Sequence, residues 1–448
     1  MPSHDPATGP SALSKVAWRV IPFLCLLYIF NIIDRANVSF ARLTMTKDVG
    51  LSDAVIDWGY GLFYIGYLVF EVPSNLLLRR LGARVWISRI MVSWGLVSML
   101  TMAVVDAWSY YWARILLGVA EAGFFPGIIF YLTAWFPDAR RARVIALFML
   151  AIPAANVLGN PVSGAIMDFC HGALGLAGWK WLFLLEGLPS LLLGLVVLRL
   201  LPDRPRDASW LTEAEKEWLE GEVEREAGRR TLAGGKDQLA ALADPRVWLL
   251  IGLYFSVAVG TNATGAYLPK LVKGHFEPLL LEQAGTTDPV EAGLLWKVGV
   301  LSALPHLASV AAMVLVSRLS DRWRQRGLLV AVSLAVGGAG WLMAWQLADP
   351  WLALAGLCLA QAGMMAVLPV FWALPSLFLG GAAAAAGIAL INSVANIGGI
   401  FAPRVIGAYG LAPMVAVMAW GMVLAVASIA LVERPSNEAG AKGKHGND

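Results

Sequence analysis

The chain has 448 residues, of which 58% are hydrophobic and only 15% charged, against about 25% charged in an ordinary soluble domain. That balance excludes a soluble protein, whose surface would need far more polar cover, and makes this an integral membrane chain with the lipid bilayer as its solvent. A net charge of +3 provides no basic field for nucleic acid. Three scattered cysteines and five scattered histidines offer neither a disulfide framework nor a metal-ligand pattern, so no metal or organic cofactor is expected.

The stretch "MPSHDPATGPSALSK", residues 1–15, is polar and lacks an apolar core. It is expected to be a disordered cytoplasmic tail, not a cleavable signal. A membrane span needs about 20 mostly apolar residues. By that measure, spans are predicted at 16–39, 55–78, 84–105, 109–135, 142–167 and 180–201, then at 246–271, 294–317, 327–347, 351–378, 384–407 and 410–432. Several hold Gly and Pro, which neighbouring helices make tolerable inside a bilayer. Residues 202–245 form the longest polar segment and contain "LTEAEKEWLEGEVERE", where Thr212 and Glu215 carry a capping-box pattern for a short amphipathic helix. Residues 272–293 are expected to be the longest outer loop, and residues 434–448 a second cytoplasmic tail.

The reading is therefore all-α, with twelve transmembrane helices in two six-helix bundles, residues 16–201 and 246–433, joined by a cytoplasmic linker. The arginine-rich loops "LLLRRLGARVWISR", "DARRARV" and "SRLSDRWRQRG" set both termini on the cytoplasmic side by the positive-inside rule. "NLLLRRLGAR" and "SRLSDRWRQRG" occupy the same place in the two halves, which marks a duplicated unit. Two pseudo-symmetric halves suit a transporter with its substrate near the midplane between them. An intramembrane enzyme would need a convergent nucleophile–base or metal constellation, and none is present.

The charges left inside spans are Asp34, Arg35, Glu71, Arg114, Glu121 and Glu186, with Arg404 near an outer end. Each costs roughly 2.5–3.5 kcal/mol at the centre of a bilayer on the gentlest scale, and so is a functional candidate by default. Arg114 and Glu121 lie seven residues apart, on one helix face and about 10 Å apart along the axis. That spacing suits an anion on Arg114 and a proton on Glu121; pairing of each with a neighbouring helix is the plainer alternative. Asp34 and Arg35 diverge by about 100°, so they need not pair, although an ion pair locking an outer gate is the competing reading. Glu71 lies close to Arg79 and Arg80, which points to a structural charge network at the inner end of the second span. Among polar and aromatic residues, Tyr64, Tyr67, Asn156, Asn160, Asn262, His306, Trp372, Asn392 and Asn396 lie within spans. Together with an arginine they suit a small polar anion with an apolar part, while helix–helix hydrogen bonding is the bland explanation for any one amide.

"DRANVSFA", "FEVPSNLLLRRLGARVWISRIMVSWG", "RILLGVAEAGFFPGIIFYLTAWFP" and "FWALPSLFLGGAAAAAGIALINSVANIGGIFAP" resemble the major facilitator superfamily, and within it the anion:cation symporter group. The group looks like bacterial uptake systems for organic anions such as tartrate, hexonates, phthalate and hydroxyphenylacetate. The resemblance implies that Asp34 and Glu121 are the protonatable pair, and that Arg35 and Arg114 shape or contact the anion site with Tyr67 nearby. It implies a monomer in the bacterial inner membrane. Asn156, Asn262, His306, Trp372, Asn392 and Asn396 are the further candidates for substrate contact; Glu71, Arg79, Arg80, Asp321 and Arg322 are those for gating. This sequence departs from the pattern in three places, one of them the "TNATGAY" part of span seven, which is more polar than expected. The first signature loop lacks an Asp that the second keeps as Asp321, and His306 stands where an aromatic is expected. The expected function is proton symport of a small organic carboxylate by alternating access. An uncoupled uniporter or exchanger, or an efflux system for an uncharged compound, is the alternative.

Overall fold

The computed structural model describes residues 8–137, 140, 144–145, 148–232, 244–323, 325–379 and 381–433, and they contain no strand. In chain order the principal helices are α1 (Thr8–Val49), α2 (Asp53–Leu81), α3 (Ala83–Leu100), α4 (Ala107–Glu121), α5 (Phe124–Thr133), α6 (Ala151–Phe169) and α7 (Gly178–Leu200). There follow α8 (Glu213–Leu232), α9 (Pro245–Ala284), α10 (Leu294–Trp323), α11 (Arg326–Gln346), α12 (Pro350–Phe371), α13 (Gly381–Tyr409) and α14 (Ala412–Ser428). Among the described residues ten helical stretches are long and apolar enough to cross a membrane. The predicted fifth and eleventh spans are α6 and α13, and each of the twelve predicted spans has its helix. The predicted start at 142 and the tail 434–448 lie outside the described residues.

Local chemistry sets several of these boundaries. Asp106, Asp244 and Asp349 cap α4, α9 and α12, accepting from the amides of Ser109 (2.7 Å), Arg246 (2.8 Å) and Leu352 (2.9 Å). Proline follows the latter two caps at the first helical position, where its missing N–H is harmless. The predicted fourth span is two helices, because α4 stops at Glu121 and Gly123 turns left-handed with φ 88°.

Three expectations change. The segment 272–293 is mostly helix: α9 continues to Ala284 because helix-period residues go on finding cover. Phe276 and Leu280 are buried, and Phe276 meets Trp351 edge-on at 5.0 Å. The predicted 351–378 span ends earlier, at Phe371. The N-terminal tail is helical from Thr8, with Ala12 and Leu13 buried, because α8 gives it a surface to pack on.

The chain divides into two compact units. The first holds residues 1–37, 62–155 and 179–233. Its core includes Trp94, Phe124, Trp135 and Phe148, and Tyr28 stacks on Phe148 at 4.5 Å. Here α8 starts with the capping box: Thr212 Oγ1 accepts from the Glu215 amide (3.3 Å) and Glu215 from the Thr212 amide (3.0 Å). Glu215 also accepts from Ser11 (2.8 Å) and Lys15 (3.0 Å) of α1. Burial alone would raise the Glu215 carboxyl, but these three donors outweigh it and hold it at about 2. The second unit holds residues 38–61, 156–178 and 234–448, including α9 to α14.

Candidate functional site

In the first unit, α1 brings two side chains to one carboxylate oxygen. Asn31 and Arg35 are four residues apart, hence on one face. Asn31 Nδ2 donates to Glu121 Oε1 at 2.6 Å and Arg35 Nε to the same atom at 2.5 Å. Glu121 is 1% exposed while the Arg35 side chain is 31% exposed, so this ion pair has one buried and one partly exposed partner. Glu121 is the last residue of α4, where the helix dipole places partial negative charge. Neutralisation therefore falls on Arg35. The break after Glu121 is held by Ser74, whose hydroxyl donates to the Ala122 carbonyl (2.6 Å) and accepts from Trp86 Nε1 (2.9 Å). A side chain at Gly123 would run into Ser74.

Asp34, one residue before Arg35, turns to a different set of partners. Trp94 Nε1 and Ser190 Oγ donate to Oδ2 at 2.7 and 2.9 Å. Ser98 Oγ and Asn37 Nδ2 donate to Oδ1 at 2.8 and 3.2 Å. Trp94 and Ser98 come one turn apart on α3, Ser190 from α7, and Asn37 from the next turn of α1. Asp34 is 1% exposed, and all four donors are neutral. Asp34 and Arg35 thus belong to separate networks.

Aromatic rings position the cations. The Arg35 guanidinium carbon lies 5.4 Å from the Phe63 centroid and 5.3 Å from that of Tyr67, residues one turn apart on α2. Arg114, buried on α4, lies 5.0 Å from the same Phe63 ring. The close approach of α2 and α4 requires glycine: a Cβ on Gly118 would strike the Phe63 carbonyl and the Tyr67 amide, and one on Gly66 the Ile115 carbonyl. Glu71 is half-buried one turn beyond Tyr67, and Tyr64 meets Phe63 edge-on at 5.3 Å. Glu186 is buried in α7.

The other sequence candidates fall in the second unit. Asn160 Nδ2 donates to the Ser302 carbonyl (3.1 Å), and Asn262 Nδ2 to the Ala258 carbonyl within its own helix (2.8 Å). His306 is buried and faces Gln361 of α12, with 3.3 Å between His306 Nδ1 and Gln361 Nε2. Trp372 packs edge-on against Tyr254 and Phe371, with centroids at 4.9 and 5.3 Å. Asn156, Asn392 and Asn396 are half-buried, and Arg404 is exposed with its guanidinium 4.0 Å from the Trp58 ring. Of the gating candidates, Arg80 is exposed at the end of α2 and Asp321 and Arg322 at the end of α10, while the Arg79 side chain lies outside the described residues. Sequence reasoning misses Asn31, Phe63, Trp94, Ser98 and Ser190. The one available signal was the Asn31–Arg35 spacing.

Two carboxylates and two cations inside one helical unit can hold an anion and exchange protons, and the comparisons bear on which proteins do this. The sequence profile of the Major Facilitator Superfamily matches residues 24–403. The chain is a member of the major facilitator superfamily. It is a multi-pass membrane transporter, not an enzyme. This superfamily member is 45% identical over 396 residues, 88% of its length and 84% of the relative's, to an Agrobacterium vitis protein named "Putative tartrate transporter". It is 37% identical over 435 residues, 95% of its length and 96% of the relative's, to an Acinetobacter baumannii protein named "Quinolone resistance transporter". The fold matches the partially occluded, inward-open xylose transporter XylE of E. coli with a TM-score of 0.65 at 16% identity, covering 92% of this chain and 97% of that one.

Proposed function

We propose that this transporter imports a small organic carboxylate together with protons by alternating access, with Asp34 and Glu121 as proton carriers and Arg35 and Arg114 as the anion site. The observation that carries this reading is the Arg35–Glu121 pair, buried at Glu121 and partly exposed at Arg35. An arriving carboxylate competes with Glu121 for the guanidinium. A buried carboxylate stripped of its counter-ion is costly by several kcal/mol, and a proton then replaces the lost cation. Anion and proton binding are linked because they share one arginine. Tyr67 and Phe63 hold that arginine in place, and an aromatic floor suits a substrate with an apolar part. Asn156, Asn262, His306, Trp372, Asn392 and Asn396 are proposed as the second half's contribution to selectivity. The name of the Agrobacterium relative supports a carboxylate substrate.

The protein is proposed to act as a monomer in the bacterial inner membrane, with both termini cytoplasmic, six-helix halves at 16–201 and 246–433, and gating by Glu71, Arg79, Arg80, Asp321 and Arg322. Uptake into proteoliposomes tests the coupling. Glu121→Gln and Asp34→Asn should each abolish accumulation driven by a pH gradient, and Arg114→Ala should weaken carboxylate binding. Gradient-driven uptake surviving in both carboxylate variants would overturn the proton assignment. The name of the Acinetobacter relative favours a second reading, export of an aromatic compound by the same fold. Proton-driven accumulation of such a compound in inverted vesicles, without carboxylate uptake, would select it.

A further inference from the structure

A second buried charge cluster lies within the second unit. Arg42, near the end of α1, is 2% exposed, as is Asp57 in the second turn of α2. One guanidinium nitrogen of Arg42 lies 2.7 Å from Asp53 Oδ1 and 3.2 Å from Asp57 Oδ1. The Tyr267 hydroxyl of α9 donates to Asp57 Oδ2 at 2.6 Å, and Lys270 of α9 to Asp53 Oδ2 at 2.7 Å. The Arg42 guanidinium also lies flat on this cluster's aromatic ring, 4.3 Å from the Tyr267 centroid. Helix α13 closes the arrangement at Gly407, where any Cβ would strike Asp57 and Tyr267, and Gly61 of α2 packs against the Ile400 backbone of α13.

These contacts tie the ends of the first two helices to the seventh and eleventh spanning helices, which belong to the other half of the chain by sequence. Asp53 and Asp57 open α2, whereas the arginine-rich turn follows its last residue, so the cluster sits at the membrane face opposite the basic loops. Two neighbouring acids, a buried arginine and a phenol form one charge cluster, in which each carboxylate meets a cationic or hydroxyl partner on two helices. A contact set of this kind exists only while these four helices are together here.

We propose that Arg42, Asp53, Asp57, Tyr267 and Lys270 form the latch that holds the face opposite the basic loops shut, and that this latch must open for substrate to enter from that face. The inference rests on the alternating-access reading and assigns the closing contact within it. Contacts present in one state alone set its population, so weakening them must favour the open state without any change at Arg35 or Glu121.

The labelling arm needs neither substrate nor proton gradient, so it can fail independently of the carboxylate assignment. In full-length protein lacking Cys25, Cys170 and Cys358, a single cysteine replaces Asn262, five residues deeper on α9 than Tyr267. Its labelling by a membrane-impermeant maleimide is followed in right-side-out vesicles. Arg42→Gln and the near-isosteric Asp57→Asn should each raise the labelling rate at least tenfold. Equal rates in the parent and both variants would overturn the latch. An independent arm replaces Asp53 and Lys270 by cysteines and joins them with a short thiol cross-linker. Joined protein should lose transport and regain it when the linker is cleaved, whereas full transport in fully joined protein would overturn the proposal.

Discussion

Replacing Arg35 by Gln tests the centre of the proposed site. Arg35 Nε lies 2.5 Å from Glu121 Oε1, and Glu121 is 1% exposed. The other donor to that oxygen is the neutral Asn31. Removing one partner of a buried ion pair costs about 3–5 kcal/mol, because the remaining charge stays desolvated. The Arg35 side chain is 31% exposed, and partial exposure weakens the pair, which places the expectation near 3 kcal/mol. Loss of the contacts with Phe63 and Tyr67 adds about 0.5–1 kcal/mol each, in the single and double variants alike. Arg35→Gln with Glu121→Gln removes the stranded charge and should recover at least about 2 kcal/mol, measured as the coupling term of a double-mutant cycle. Thermal unfolding of the purified protein in detergent, followed by tryptophan fluorescence, reads both. At about 2 °C per kcal/mol the single variant should melt about 8–10 °C lower and the double variant should regain at least ~4 °C of the difference. A double variant no more stable than Arg35→Gln would mean that Arg35 does not neutralise Glu121, and the shared-arginine mechanism would fall with it.

Three further outcomes follow from the geometry. Ser190→Ala removes one of four donors to Asp34 and should destabilise the protein by about 1–3 kcal/mol, with Ser93→Ala, bonded only to its own helix, as the near-neutral comparison in the same melting assay. Gly118→Ala drives a methyl group into the Phe63 carbonyl and should cost about 1–3 kcal/mol, seen as a lowered melting temperature, while Gly265→Ala, which meets open space, should be tolerated. Glu215 has a folded value of about 2 against an ordinary 4.5, so its contribution is complete above about 4.5 and lost as pH falls towards 2. The protection of residues 9–20 against hydrogen exchange, taken relative to the intrinsic rate at each pH, should therefore fall between pH 4.5 and 3 in the parent protein but not in Glu215→Gln; equal protection profiles would refute that docking.

The spans were legible because about 20 apolar residues in a row have few other uses, and the ionisable residues at depth were legible through their cost. What escaped was partnership. Trp94, Ser98 and Ser190 are unremarkable members of apolar runs, and they meet Asp34 across 60, 64 and 156 positions. Nothing local marks such contacts. Arg42 and Asp57 escaped for a different reason: each lies near the end of its predicted span, where a charge passes for a solvated loop residue, and only the approach of α9 and α13 buries them. The helical extension of α9 escaped because the charges of "VKGHFEPLLLEQAG" hide the period of Phe276 and Leu280.

The two intramembrane carboxylates share a depth and a residue class, yet their surroundings assign them different work. Asp34 is held by four neutral donors, none of which an arriving anion can take away, since an anion competes only for cations and for exposed donors. In the proposed mechanism an arriving anion therefore displaces no cation from Asp34. Glu121 pairs with the partly exposed Arg35. In the proposed mechanism substrate competes for Arg35, and Glu121 responds to the anion through it. Coupling then has a definite site: an Arg35→Lys variant, which keeps the charge but loses the planar guanidinium and its ring contacts, should retain proton binding and weaken its linkage to substrate. Carboxylate affinity measured across pH would show a flatter dependence in Arg35→Lys than in the parent, and an unchanged slope would move the coupling away from Glu121.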